Sequence, residues 1–303
     1  MRRHPTRVLI AGLVGLALVT AACGSDDDDT TEGATQGGKG SLTIGSTNFT
    51  ENVILAHIYG GALRSDGFTV TVRPNLGSRE LVAPALDRGE LDLYIGYAAT
   101  ELEFYNNSAG QATPNAKETV EKLRAQIQGK GLTALEPSSA VDQNAFGITQ
   151  ATADRLKLKK LSDVPPVAGD LTLGGPSECP TRPFCAKGLE DKYGIRFKSF
   201  RPLDAGGPLT KGALRSGEID VGLLLSSDAK GFVLLEDDKG LQNADNVVPV
   251  IRTDKATPEV RTVLDKVSAA LTTEELSALN ERANVDKDDP DAVAQDWLKE
   301  NGF

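Results

Sequence analysis

Covalent catalysis needs a nucleophile beside a base, a metal, or a matched acid and base. This chain of 303 residues has only two histidines and three cysteines to offer. It contains no Gly-x-Ser-x-Gly, His-Glu-x-x-His or phosphate-loop segment, so the common hydrolytic and phosphoryl-transfer chemistries lack an anchor. What it does have are hydroxyls, amides and phenols just past the ends of apolar runs, where open α/β sheets hold their ligands. Ser46, Thr47 and Asn48 follow the run Leu42–Gly45 and precede a helical pattern. The free N–H groups of that helix start suit a polar or anionic group, although Asn48 or Thr50 can equally serve as a plain helix cap. Ser78, after Gly77, holds the corresponding place behind the next strand. Tyr97 and Thr100 follow a third run, while Tyr94 inside it is either a ligand wall or core. Asn144 lies where the chain is expected to cross between two halves, and Ser226 and Asp228 follow the last long apolar run. Such groups capture a solute without transforming it.

These positions recur because the chain repeats itself. Residues 73–93 (RPNLGSRELVAPALDRGELDL) and 201–221 (RPLDAGGPLTKGALRSGEIDV) align at an offset of 128 with eight identities. Average composition would give about one or two by chance. The identical pairs include Arg73/Arg201, Leu81/Leu209, Gly89/Gly217 and Asp92/Asp220. Each copy reads as a Gly-containing loop, a short helix closed by a Gly suited to a left-handed cap, and an apolar run fit for a strand buried on both faces. Two copies imply two similar α/β lobes facing a cleft, whereas a solenoid needs three or more.

The remaining pattern fills in both lobes. Leu42–Gly45 and Thr69–Val72 read as strands, and Phe49–Leu63 as a helix. Leu171–Leu173, Gly188–Tyr193 and Arg196–Phe200 read as strand, helix and strand of the second lobe. Thr257-Pro258 opens a tail helix, Thr272 with Glu275 forms a capping box opening the next, and Asp289-Pro290 opens the last, which Gly302 closes. Val247–Ile251 is expected to return the chain to the first lobe. The predicted organisation is residues 1–22 as leader, 23–40 as tether, 41–144 plus 249–303 as lobe one and 145–248 as lobe two.

The leader follows from Arg2, Arg3 and Arg7 ahead of the apolar stretch Val8–Val19, which is too short to span a bilayer. Thr20-Ala-Ala-Cys-Gly24 resembles a bacterial lipobox in which Cys23 is lipidated, with Thr20 where Leu is usual. Residues 24–40 hold no large apolar side chain and cannot offset their ordering entropy, so a flexible spacer is expected. The net charge is −10, and the leader carries three Arg and no acid, so the rest is more acidic still. That argues against nucleic acid as a partner and against adhesion to anionic lipid. In an exported chain, Cys179 and Cys185, six apart in a Pro-rich loop, are expected to form a disulfide; zinc is the weaker alternative, with no His or further Cys near. His57 and Trp297 read as packing residues. Asp286–Asp291 lacks the Gly and spacing of a calcium loop.

Several segments in order resemble one family. Gly45-Ser-Thr-Asn-Phe-Thr-Glu51 is similar to its first strand-to-helix turn. Gly89-Glu-Leu-Asp-Leu-Tyr-Ile-Gly-Tyr-Ala-Ala-Thr100 is similar to its GE-I-D-LYPEYTGT stretch. Ser226-Ser-Asp228, Leu234-Leu-Glu-Asp-Asp-Lys239, Leu279-Asn280 and Val293-Ala294 match further segments, over most of 42–303. The family is that of the substrate-binding proteins of quaternary-amine ABC importers, which take glycine betaine, choline and related osmolytes. The resemblance implies a type II periplasmic-binding fold and a binder, with no enzymatic activity and no cofactor. It further implies a monomer that delivers a small solute to a membrane permease from outside the membrane. It assigns Arg182 to a position that can meet a ligand carboxylate, and Tyr94 and Tyr97 to an aromatic cage for a quaternary ammonium. The chain departs from the family pattern at Thr47, where Lys is frequent, at Ile95-Gly96 in place of Pro-Glu, and at Leu225 in place of a cage Tyr. A neutral or aromatic solute on the same fold, or a sensing lipoprotein without transport, is the alternative reading.

Overall fold

In the computed structural model, residues 38–303 are described. The expected leader, the lipidated Cys23 and nearly all of the tether lie outside them. The first half runs β1 (Ser41–Gly45), α1 (Thr50–Ser65), β2 (Thr69–Arg73), α2 (Arg79–Asp87), β3 (Leu93–Tyr97), α3 (Ala98–Tyr105), α4 (Ala116–Ile127) and β4 (Leu132–Ala134). The chain then enters β5 (Asn144–Ile148), α5 (Gln150–Leu156), β6 (Thr172–Gly175), α6 (Ala186–Gly188), β7 (Ser199–Pro202), α7 (Pro208–Ser216), β8 (Val221–Leu225) and β9 (Val233–Leu234). It returns through β10 (Val247–Arg252) and ends in α8 (Pro258–Ala270), α9 (Thr273–Glu281) and α10 (Pro290–Glu300).

Two five-stranded sheets result, ordered β2-β1-β3-β10-β4 and β7-β6-β8-β5-β9. In each, the first three strands are parallel and the fourth is antiparallel to the third. The fourth strand is in both cases the one reached by a crossover from the other half. Helices cover both faces. On the first sheet, Leu93 and Ile95 of β3 join the core under α1, α8, α9 and α10, while Tyr94 joins the core under α2, α3 and α4. The second sheet packs Leu173, Val221 and Leu223 on one face and Leu214, Ile219 and Leu224 on the other.

The repeat is realised to the residue: β3 starts at Leu93 and β8 at Val221, 128 positions later. Gly89 and Gly217 sit at φ 73° and 75°, left-handed values that favour glycine. The paired aspartates do one job twice. Asp92 Oδ2 accepts the Thr43 N–H at 2.8 Å, and Asp220 Oδ2 accepts the Thr172 N–H at 3.0 Å. Close approach repeats as well. A Cβ on Gly45 would lie 2.5 Å from Leu91 Cδ1, and one on Gly174 2.5 Å from Ile219 Cδ1.

Those two packed side chains explain a displacement from the predicted strands. Leu91 and Ile219 are apolar because they fill the core beneath a glycine, but the ladders begin only after the aspartate that follows. The predicted helix Gly188–Tyr193 is instead the short α6 running into a π turn at Leu189–Tyr193. The strand predicted at Arg196–Phe200 forms at Ser199–Pro202. The tail caps form as expected: Thr257 and Thr272 accept from Val260 and Glu275 N–H groups, and Asp289 caps α10. Among the described residues no helix is long and apolar enough to cross a membrane.

Candidate ligand-binding cleft

A cavity of about 430 Å³ lies between the sheets, at the carboxyl ends of their parallel strands. Its first-sheet wall comes from Phe49, Tyr97, Thr100 and Phe104, and its second-sheet wall from Asn144, Arg182, Phe184 and Leu225. The floor is made by the two chain crossings, where Asp142 and Asp245 meet: Asp142 N–H donates to the Asp245 carbonyl at 3.1 Å, and Val141 bridges Asn246. A smaller cavity of about 230 Å³ shares Phe49, Ala205 and Leu225 with the first and adds Asn48, Asp228, Asn280 and Asn284.

Four of the sequence-predicted residues therefore share the main cavity: Tyr97, Thr100, Asn144 and Arg182. Asn48 and Asp228 line the smaller one. The others lie elsewhere. Ser46 is fully buried, donating to the Thr47 carbonyl at 2.9 Å and accepting the Asn75 N–H at 3.0 Å. Thr47 N–H is taken by Asn52 Oδ1 at 2.8 Å. Both thus build the turn that joins β1 to α1 and line neither cavity. Ser78 sits at the start of α2, and its carbonyl accepts from Leu81 and Val82. Ser226 ties the end of β8 to the crossing, accepting the Gln143 N–H at 2.9 Å. Tyr94 points away from the cleft. The strand alternation puts it on the opposite face of β3 from Tyr97, buried with its hydroxyl on Glu101. Three residues along an extended strand always change face, so a cage using both phenols cannot form on this strand.

Sequence reasoning missed three aromatic walls and the acidic floor. Phe49 packs tilted against Tyr97, with ring centroids 6.1 Å apart. Phe184 neighbours Cys185, and its carbonyl accepts from Asn144 Nδ2 at 3.0 Å. Phe104 is brought in by α3. The signal for Phe49 was its place in the first turn; Phe104, Asp142 and Asp245 carried none, because only the tertiary fold brings α3 and the crossings to the cleft.

The acids form a buried chain. Tyr97 OH donates to Glu51 Oε1 at 2.6 Å, and Glu51 Oε2 accepts from Ser227 Oγ at 2.8 Å and Asn280 Nδ2 at 2.5 Å. Asp142 accepts the Ser227 N–H at 3.0 Å. Asp245 accepts both the N–H and the hydroxyl of Thr100, at 2.7 and 2.5 Å. Burial raises the Glu51 carboxyl above its usual range, against the pull of its donors. Burial, then the neighbouring Glu51 charge, raises Asp142 well above its own. Burial pushes Asp245 up to about 6. Among the described residues, none of these three is paired with a Lys or Arg. The two guanidiniums on the cavity each already have a carboxylate: Arg79 Nε meets Glu101 at 2.5 Å, and Arg182 meets Glu80. The walls are aromatic and the floor is lined by carboxyl groups, and among the described residues no nucleophile lies beside a base. Such a cleft suits a small cation or a solute with a cationic end.

The disulfide between Cys179 and Cys185 is formed and closes the loop that carries Arg182 and Phe184.

Comparison with known proteins adds an independent line. The family described as the substrate-binding domain of ABC-type glycine betaine transport systems matches residues 40–300. The chain is 29% identical to a glycine-betaine-binding protein of Pseudomonas aeruginosa, over 86% of this chain and 88% of that one. It is 28% identical to a carnitine transport binding protein of Listeria monocytogenes, over 88% of each. Among solved structures, a glycine betaine/carnitine/choline ABC transporter protein superposes with a TM-score of 0.65 at 25% identity, covering 86% of this chain and 98% of that one.

Proposed function

The chain belongs to the family of substrate-binding domains of ABC-type glycine betaine transport systems, and from that premise we propose that its ligand is a small quaternary-ammonium osmolyte such as glycine betaine or choline, held in the cleft around Tyr97. As a member of that family it is an extracytoplasmic transport component and not an enzyme. The observation that carries the ligand reading is the lining: Phe49, Tyr97, Phe104 and Phe184 from both sheets surround a cavity with an acidic floor. Aromatic faces attract a methylated ammonium through their quadrupole and tolerate its lack of N–H donors.

The working cycle follows from the two crossings. The lobe built on the first sheet and the lobe built on the second rotate about them, close on the solute, and present the closed form to a permease. Thr100 and Asn144 supply polar groups at the rim, beside the Arg182–Glu80 pair. The protein acts as a monomer and is anchored through a lipid on Cys23, and the acidic tether lets the folded part stand off the membrane.

Calorimetric titration of the delipidated protein with glycine betaine, choline and carnitine tests this. Binding of one of them with a micromolar dissociation constant is expected; no heat with any of the three would refute the ligand class. The carnitine transport protein from Listeria shows how wide that class is among relatives.

A further inference from the structure

Arg182 is the cleft residue most able to receive a ligand's carboxylate, and it is already occupied. Its guanidinium contacts Glu80 three times: Nη2 donates to Oε2 at 2.8 Å and to Oε1 at 3.1 Å, and Nε donates to Oε1 at 3.3 Å. The partners come from opposite sides of the cleft. Glu80 stands in the first turn of α2 on the first sheet, and Arg182 in the disulfide-closed loop on the second. Both line the main cavity.

We propose that Glu80 is a built-in counter-ion that takes the place of a ligand carboxylate on Arg182, so that the cleft selects cations without a carboxylate over zwitterions. The inference rests on the quaternary-ammonium reading above and narrows it. Three features support it. Glu80 takes the Nε/Nη2 edge of the Arg182 guanidinium in a two-pronged pairing, so a ligand carboxylate must compete with it for that edge. The other guanidinium on the cavity, Arg79, is held by the buried Glu101, and among the described residues no Lys lines the cavity. An incoming carboxylate that displaced Glu80 would leave that charge facing the same space as Asp245 and Glu103. Glu80 is also ionised throughout the physiological range: burial would raise it, but Arg182 and Ser78 hold it down to about 2. A cation without a carboxylate meets the aromatic wall and the acidic floor and leaves the pair intact. The pair then doubles as a clasp between the lobes.

The test uses the delipidated protein and its Glu80→Gln, Arg182→Gln and double variants, each checked for cooperative unfolding. Choline and glycine betaine differ chiefly in the carboxylate. The intact protein is expected to bind choline at least about tenfold more tightly, a difference readable as a ratio of dissociation constants. Glu80→Gln should narrow that ratio by strengthening glycine betaine, and Arg182→Gln should abolish the gain in the double variant. Equal affinities in the intact protein, or a Glu80→Gln change that weakens both ligands alike, would overturn the proposal. Thermal unfolding with tetramethylammonium or acetate, against chloride and sodium controls, separates the two readings. If tetramethylammonium and both osmolytes leave the intact protein unmoved while acetate stabilises only Glu80→Gln, the ligand class fails and the counter-ion role stands. If Glu80→Gln gains no response to acetate or glycine betaine, the counter-ion role fails whatever the ligand.

Discussion

Tyr97 concentrates the residue-scale argument. Its ring is a cleft wall beside Phe49, and its hydroxyl is fixed by the buried Glu51. Removing the ring takes away one cation–π face and leaves Glu51 short of a donor. Tyr97→Ala should therefore weaken osmolyte binding by about tenfold or more by calorimetry, whereas Tyr97→Phe keeps the ring and should cost less affinity than stability. Asp245 carries a pH prediction. Its carboxyl is raised to about 6 by burial, so the folded state holds a proton that the unfolded chain has released. The sign follows: its contribution is present below the unfolded value near 3.8 and is lost as pH rises through about 6. Glu51 and Asp142 are shifted the same way and add to it. Glu80, shifted down, acts in a lower window: its stabilisation is present above the ordinary 4.5 and fades only as pH falls toward 2. The midpoint of thermal unfolding should thus be higher at pH 5 than at pH 7.5. Asp245→Asn should shrink the corresponding difference in unfolding free energy by about 1 kcal/mol.

At the scale of elements, the loop between Cys179 and Cys185 is the feature to perturb. The bridge spans six positions and so closes a short ring, worth about 2 kcal/mol of chain entropy. Both sulfurs are also packed in the second-sheet core. The loop places Arg182 and Phe184 on the cavity. A Cys179→Ser/Cys185→Ser variant should lose stability of about that size and also lose affinity. An unchanged dissociation constant with a lowered unfolding midpoint would mean that packing alone positions the loop. The repeat makes a second point at this scale. Leu81 and Leu209 are the same repeat position, and both remain more than half exposed on their helices. The copies thus share an outward face as well as a buried one.

For the whole molecule, the two crossings decide what motion is available. They run side by side, joined by the Asp142–Asp245 backbone bond, and are the chain connections between the sheets. Glu80–Arg182, Asp228–Asn284 and Lys230–Glu281 join the halves in this structure. Small-angle scattering should show a more compact particle with ligand than without it. Ligand at a hundredfold above its dissociation constant should add about 2.7 kcal/mol to unfolding. A ligand that stabilises without compaction would argue for a cleft that is already closed.

The sequence by itself determined the two-lobed α/β architecture, because an exact offset of 128 reproduces loop, helix, glycine cap and strand, each specified by local rules of turn chemistry and periodicity. It determined the caps of the tail helices for the same reason, and the approximate end of the strand where Tyr97 falls and after which Thr100 follows. The tertiary structure alone decided the rest of the cleft. Which way a phenol faces depends on the register of its strand, so Tyr94 went to the core while Tyr97 lined the cavity. Ser46 and Thr47 were drawn into backbone hydrogen bonds that no spacing announces. Arg182 met Glu80 across 102 positions of chain. Charge pairing and burial act through space, and a pair so far apart in sequence becomes a pair only when the lobes come together.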